Sequence, residues 1–473
     1  MGLGADHLIR ATGQGVASLT TGQAHVKPRH IAVVGSGIAG LSAAWLLSRT
    51  HRVTLIEADE RPGGHANTID CEVHGTEVSV DTGFIVYNPP AYPNLTALFT
   101  RLKVPTAPSN MSFSVSMGDG AYEYAGSGLA QLVGQPRNLL NPGHWQLMRD
   151  IPRFFRTALA KLSCLSDDVT LGDFLKAEGY SDYFRDRHLL PMAGAIWSAA
   201  PGDMRDYPAR AFIRFFENHG LLKITNRPEW RTVKGGSREY VARVIRDGAF
   251  ETRLRTPIAA VRRNPQGVTL RAANGQEQAF DDVVLACHAD QALAMLSDAS
   301  PEERRLLSCF RYSQNRAVLH RDQCLMPKQH RLWASWNYLS GLPQHGHAAS
   351  SVTYWMNRLQ PLNIDVPLFV SLNPITEPDV DKVLGEFGYA HPIFDPAAMA
   401  AQRDIWTIQG AQNTWFCGAY MGSGFHEDGI QSGLAVAERL GCLKRPWSVA
   451  NESGRIHLGP QDPQSPPVQV SVN

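Results

Sequence analysis

Long apolar runs are what this chain lacks first. No segment comes near the roughly 20 consecutive apolar residues that a membrane-crossing helix requires, and residues 1–30 carry no apolar core of a signal peptide. Cysteine is sparse: seven residues, an odd number with no C-x-x-C pair, which excludes a disulfide framework. A reduced, cytoplasmic setting is therefore expected. Charge of one sign is also lacking, since 45 Lys and Arg against 44 Asp and Glu leave a formal net charge of +1. That balance excludes a general nucleic-acid binder, which carries a basic excess. No Ser-His-Asp set or metal-ligand cluster stands out. The pair His345-Gly-His347 lies in a Gly/Ser loop, where histidines are more often solvated than ligating, so no metal is expected.

What is present is a chain of 473 residues, 43% hydrophobic, long enough for two or three structural units. Its 41 glycines cluster where they can do mechanical work. The segment Ile31–Val34 reads as a strand running into Gly35-Ser36-Gly37-Ile38-Ala39-Gly40, and an apolar helix pattern follows from Leu41 to Leu47. In such a G-x-G-x-x-G turn one glycine permits the tight turn, one admits a pyrophosphate and one lets helix and strand pack. The free N–H groups at the helix start then face the phosphates. A second strand, Val53–Ile56, ends at Glu57, whose carboxylate suits ribose hydroxyls and argues against a bound 2′-phosphate. Beyond it comes Glu57-Ala58-Asp59-Glu60-Arg61-Pro62-Gly63-Gly64-His65. A second Gly-Gly turn brings further backbone N–H groups toward a larger, extended dinucleotide.

Near the other end, Gly418 closes a short apolar strand, Trp415–Cys417, and a helix opens around Gly424-Phe425-His426-Glu427-Asp428-Gly429-Ile430 and continues to Leu440. Small residues on its first turn would let a planar ring approach, and its N-terminus would direct partial positive charge at that ring.

The acid, arginine and Gly-Gly in this order resemble the flavin-binding amine oxidase and phytoene desaturase superfamily. Further stretches, VDTGFIVYNPPAYPNLTALF from Val80, WASWNY from Trp333, VSLNP from Val370 and FCGAYMGSGFHEDGIQSG from Phe416, resemble one bacterial branch of it. These are predicted NAD/FAD-binding oxidoreductases, similar to the flavoprotein part of plant cyclopropane fatty acid synthases. The resemblance covers about Ile31 to Leu440. It implies non-covalent FAD, with Cys417 the one thiol close to the C-terminal motif. It implies contacts from Gly35 to Gly40, Glu57, Ala58, Arg61, Gly63, Gly64 and His65, and from Gly83 and Phe84. Val261 is placed beside the adenine, and Gly418, Asp428, Gly429 and Ile430 at the flavin. Where most of the superfamily has an acid after the glycine matching Gly418, Ala419 and Tyr420 follow here, and Asp428 is the substitute acceptor on offer.

The implied fold is α/β: a Rossmann-like FAD-binding domain, a parallel sheet flanked by helices, with a discontinuous α+β substrate domain. The cofactor domain takes 31–109, 230–298 and 404–443, the substrate domain 110–229 and 299–403. Residues 1–30 and 444–473 form an arm and a tail. The stretch Trp145–Arg156 mixes aromatic residues with arginines. It reads either as a peripheral contact with a membrane surface or as an ordinary helix packed on its own domain and interrupted by Pro152.

Candidates at the flavin face are Gly83, Phe84, Tyr420, Phe425 and His426. His426 reads as a proton donor near neutral pH or as a hydrogen-bonded spacer. Arg316 stands where the superfamily's amine oxidases place a lysine, and an arginine stays protonated, so it cannot act as a base. The expected activity is a desaturase or dehydrogenase taking hydride from a lipid-like substrate such as a methylated fatty acyl chain. Flavin amine oxidation, with Tyr389 and Phe425 as an aromatic pair, is the alternative. A flavin-bound partner of a cyclopropane-synthase-like methyltransferase is the third reading.

Overall fold

The computed structural model describes residues 27–166, 168–198, 201–223, 225–341 and 349–459. A five-stranded sheet is built from Thr414–Phe416, Asp282–Leu285, β1 (His30–Val34), β2 (Arg52–Ile56) and Glu251–Arg253, in that order. Every neighbouring pair in it is parallel. A parallel sheet is covered on both faces, and Ile31, Ala32 and Val33 are accordingly fully buried. Its strands come from widely separated parts of the chain, around 30–56, 251–285 and 414–416. Helix α1 (Ile38–Leu47) is apolar and buried on all sides, as a helix enclosed by other elements must be.

The C-terminal helix, His426–Gly441, lies against α1. Contact is close because two positions lack a side chain. A Cβ on Gly433 would sit 2.2 Å from the Ala39 carbonyl oxygen, and one on Gly429 2.7 Å from Ile38 Cγ2.

The second unit rests on a seven-stranded mixed sheet, Val383–Ile393, Arg311–His320, Phe369–Leu372, Ser350–Trp355, Trp336–Ser340, Phe113–Met117 and Tyr122–Ala125. Helices between Pro142 and Asn218 cover it and enclose an aromatic-rich core around Phe154, Phe184, Phe212 and Phe216. An antiparallel pair, Thr106–Ser109 with Trp230–Val233, joins the two passages of the chain between the units.

Two expectations change. The helix Pro142–Lys161 runs through Pro152 without a break, capped by the Asn141 side chain at Gly143 N; flanking turns packed on the domain hold the one interrupted bond. Beyond Leu443 no loose tail begins at once. Arg445 is buried on the half-buried Glu438 and on Asn94, and the Arg455 side chain is covered on the buried Asp428; acids on the C-terminal helix take partners that the local Pro, Ser and Gln composition does not reveal. Residues 460–473, and residues 1–26 of the arm, lie outside the described residues; His30, assigned to the arm, opens β1.

An alanine at Gly433 tests the helix contact. In an open helix it would gain about 1 kcal/mol, whereas against the Ala39 carbonyl it is expected to lose about 1–3 kcal/mol, read as a lower thermal unfolding temperature.

Candidate functional site

The C-terminal ends of four parallel strands open into one cavity of about 1990 Å³, reached by Val34, Ile56, Ala286 and Gly418. Ligands of open α/β sheets bind at this edge. The volume is about twice the upper end of ordinary small-molecule pockets, ~1,000 Å³, leaving room for a large cofactor and a substrate together.

At the nucleotide end, α1 begins at Gly37, and its first backbone bond is Leu41 N–H to the Gly37 carbonyl. The N–H groups of Ile38, Ala39 and Gly40 therefore have no intrahelical acceptor. Gly40 packs on the turn, where a Cβ would lie 1.9 Å from the Gly35 oxygen. Gly37 differs: nothing lies within 4 Å of where its Cβ would be, and its backbone is extended. The empty space beside a free helix start is the cradle a diphosphate would fill.

Glu57 at the tip of β2 accepts hydrogen bonds from Ser36 N (2.8 Å) and Ser36 Oγ (2.5 Å) on Oε2, leaving Oε1 shared only with Asp59 N (3.0 Å). Ser36 Oγ also accepts from Gly63 N at 3.1 Å, which draws the second glycine turn onto the first. Gly63 and Gly64 both have positive φ, 117° and 57°, where a side chain would strain the backbone. Arg61 closes the loop by donating to Gly64 O (2.9 Å) and Ala66 O (3.3 Å). Ala58, Arg61, His65, Gly83 and Phe84 all line the cavity.

At the other end, Gly418 is pinned by its N–H to Ser432 Oγ (3.0 Å) of the C-terminal helix. Tyr420 is buried against Phe310, and its hydroxyl has no partner although the residue lines the cavity. His426 stacks on Phe84, rings 3.7 Å apart, and its Nε2 meets the Tyr240 hydroxyl at 3.1 Å. Burial pushes the His426 pKa down to about 3, so the ring is neutral throughout the physiological range. The Tyr240 phenol, held protonated by burial, shares this hydrogen bond with Nε2, either group donating according to the imidazole tautomer. His426 is thus a hydrogen-bonded wall of the site, and the expectation of a titration near neutral pH is corrected.

Other placements also differ from expectation. Arg316 does not reach the cavity; exposed, it pairs with Glu377 (2.8 Å) and Glu386 (2.7 Å). Gln314, two residues earlier on the strand, is the one that lines the cavity, so Arg316 lies one pleat too far along. Val261 is in the core beside Leu296, while Ile258 and Ala259 of its strand reach the cavity. Asp428, Gly429 and Ile430 stand behind the wall. Asp428 accepts from Phe425 N (2.8 Å) and from Arg455 Nε (2.7 Å), capping the helix rather than meeting a ligand. Burial raises its pKa, and Arg455 opposes the shift. Cys417 is buried outside the lining, and Cys287 is the thiol that lines the cavity. Tyr389 contacts His65 and Phe425 contacts Trp197, Phe215 and His219; both line the cavity, and the two rings are not in direct contact with each other. The pair His345 and His347 lies outside the described residues.

Sequence reasoning missed the cluster of His65, His288 and His391 with Tyr389 and Tyr312, gathered from four parts of the chain. His65 Nε2 is buried without a partner, and burial together with its histidine neighbours keeps the ring neutral. It missed too the apolar wall of Met148, Ile151, Phe155, Met192, Ile196 and Trp197, which lines the half of the cavity away from the strands.

The family described as flavin containing amine oxidoreductase matches residues 38–313. The chain belongs to this family. Curated relatives match over short stretches only. L-amino-acid oxidase of Bungarus fasciatus is 52% identical over 54 residues, 11% of this chain and 10% of that protein. L-amino-acid oxidase of Daboia russelii is 55% identical over 42 residues, 9% and 8% of the two chains. The chain thus spans about a tenth of the length of these relatives. Among solved structures, a CLA-producing fatty acid isomerase from P. acnes superposes with TM-score 0.63 at 16% identity, covering 87% of this chain and 98% of that one. Putrescine oxidase bound to putrescine gives 0.62 at 15%, covering 88% and 99%. Cyclohexylamine oxidase from Brevibacterium oxydans IH-35A gives 0.60 at 16%, covering 88% and 100%. At these identities the likeness is one of fold. The family's description names a flavin, and the cradle at Gly37, the Glu57 carboxylate and the small residues around Gly418 fit FAD as that cofactor.

Three outcomes are expected. Replacing Gly37 by Val abolishes retention of FAD while the apoprotein keeps its unfolding temperature, because the new side chain enters open space; FAD content after gel filtration measures it. Arg455→Met leaves Asp428 buried and unpaired, and thermal or denaturant unfolding is expected to fall by about 3–5 kcal/mol. Stability should also fall as pH drops from about 6.5 toward 4. His188 and His391 are pushed down to about 4, and His219 and His426 to about 3, so the unfolded chain takes up protons first. Burial pushes Asp81 up to about 6 and raises Glu427 and Asp428 as well, which opposes this over part of the window, while His65 and His320, also pushed down by burial, add to the four histidines.

Proposed function

We propose that the protein dehydrogenates a lipid-like acyl chain, introducing a double bond beside an existing unsaturation or methyl branch. The observation that carries this reading is the apolar half of the cavity. Its wall, from Met148 to Trp197 and on to Phe215 and Leu221, offers a long hydrocarbon surface. Of the carboxylates in the lining, Glu57 and Asp59 belong to the nucleotide end, and Glu229 is already paired with Arg231. A cationic amine entering there would be desolvated without a counter-ion, which is costly, whereas a hydrocarbon gains from the same burial.

FAD bound in the cradle supplies the hydride acceptor. The residues of the chain then orient the donor carbon and keep water out. Phe84, stacked on His426, forms a rigid apolar wall. Tyr420 carries a buried hydroxyl without a partner that can hydrogen-bond to the cofactor, and His65 a buried ring nitrogen that can do so or take a proton released from the substrate carbon. The neutral state of His65 leaves an acceptor nitrogen free for that proton. The fold shared with a CLA-producing fatty acid isomerase supports an acyl chain as occupant, and the fold shared with putrescine oxidase keeps an amine as the competing substrate class.

Anaerobic mixing of the FAD-loaded protein with unsaturated or methyl-branched acyl lipids should bleach the visible flavin absorbance, and mixing with aliphatic amines should not. Bleaching by amines alone refutes the reading. Ile196→Asp, which places an unpaired charge in the apolar half, is expected to raise KM for the acyl substrate more than about tenfold with FAD content unchanged.

A further inference from the structure

We infer that the face formed by residues 126–162 docks on the surface of a bilayer containing anionic lipid, with the mouth of the cavity turned toward the membrane. Seven large hydrophobic side chains are exposed among the described residues, and five of them, Leu129, Leu139, Leu140, Trp145 and Leu159, fall in this one segment. Leu140 is 87% exposed and Leu129 81%, values at which neither contributes to the core. On the long helix, the exposed or half-exposed positions Trp145, Arg149, Pro152, Arg156 and Leu159 follow the alternating steps of four and three that put them on one stripe. The Trp145 indole N–H donates to Leu139 O at 2.8 Å, joining that stripe to the apolar turn before it.

Charge selects the occupant. From Gly126 to Leu162 there are five cations, Arg137, Arg149, Arg153, Arg156 and Lys161, against a single carboxylate, Asp150, which is fully buried. Arg137 and Arg156 hydrogen-bond only to neutral groups, Gln135 and Gly120 O for the first and Pro152 O for the second. Arg149 and Arg153 share Asp150 (3.0 and 3.9 Å) and Lys161 pairs with Glu178 (3.0 Å), which leaves Arg137 and Arg156 as the cations without an acidic partner; exposed leucines and a tryptophan around such cations are the composition of an interfacial element. A protein partner of ordinary surface would supply no reason for the missing acids.

The face also coincides with an opening. Gly126, Ser127, Gly128 and Leu129 are exposed and line the cavity, and the long helix lines it along the flank next to its stripe, through Met148, Ile151, Pro152 and Phe155. A hydrocarbon leaving the bilayer at Leu129 would pass directly onto that apolar wall. The surface stands on its own residues; only this route of entry rests on the acyl-chain reading.

The test is co-sedimentation of the full-length, FAD-loaded protein with vesicles of phosphatidylcholine alone or of equimolar phosphatidylcholine and phosphatidylglycerol. The protein should sediment with the mixed vesicles, be released by high salt, and remain in solution with phosphatidylcholine alone. The pair Arg137→Glu with Arg156→Glu should weaken binding more than about tenfold, and Leu140→Ser with Trp145→Ser should weaken it as well, both at unchanged FAD content. The inference is overturned if the native protein stays in solution with both vesicles, if either pair of substitutions binds as the native protein does, or if sedimentation velocity shows a lipid-free dimer that the serine substitutions dissolve. Binding is read without turnover, so its failure leaves the acyl-chain reading standing.

Discussion

The contact between the first helix and the last is the constraint from which the rest follows. Ile38 and Ala39 meet Gly429 and Gly433 at distances that no side chain would allow. Because the helices touch within their first turns, both N-termini open on the same cavity, one beside Gly37 and the other at Phe425 and His426. Two clusters of free or capped N–H groups, separated by almost the whole length of the chain, are thereby brought onto one cavity. The parallel sheet beneath supplies the remaining contacts from its strand ends.

Burial governs the electrostatics of this site. His65, His188, His219, His391 and His426 all lose stability in the charged form when they are withdrawn from water, and their pKa values fall accordingly. The buried phenols move the other way, and stay protonated. The result is a cavity of neutral donors and acceptors around a hydrocarbon wall. Ion pairs stand mostly away from it: Arg316 is on the surface, Arg455 with Asp428 lies behind the helix start, and Glu229 of the lining is paired with Arg231. The charge of Arg455 serves the helix rather than the ligand, holding Asp428 where it can cap Phe425 N.

The substrate-side helices have a double task. Pro142–Lys161 presents Met148, Ile151 and Phe155 inward and a stripe of Trp145, Arg149 and Arg156 outward. The inward side completes the cavity; the outward side carries exposed apolar groups that a protein surface in water tolerates only singly.

The amino-acid sequence by itself determined the nucleotide cradle, because strand, glycine turn, helix start and terminal acid are consecutive and their geometry is local: Ile31 to Gly40, Glu57, Arg61, Gly63 and Gly64. It also marked Gly418 and the C-terminal helix start, since small residues beside a strand end are a local sign. Tertiary structure alone decided what each of the more distant residues does. Whether Arg316 or Gln314 faces the cavity depends on how far the strand runs past it, and whether Asp428 meets a ligand or Arg455 depends on a segment 27 residues later. His65, His288, His391 and Tyr389 become neighbours only when three stretches of chain fold over one another. A pattern in sequence reports neighbours within a turn or a strand, and contacts made by packing leave no such period to read.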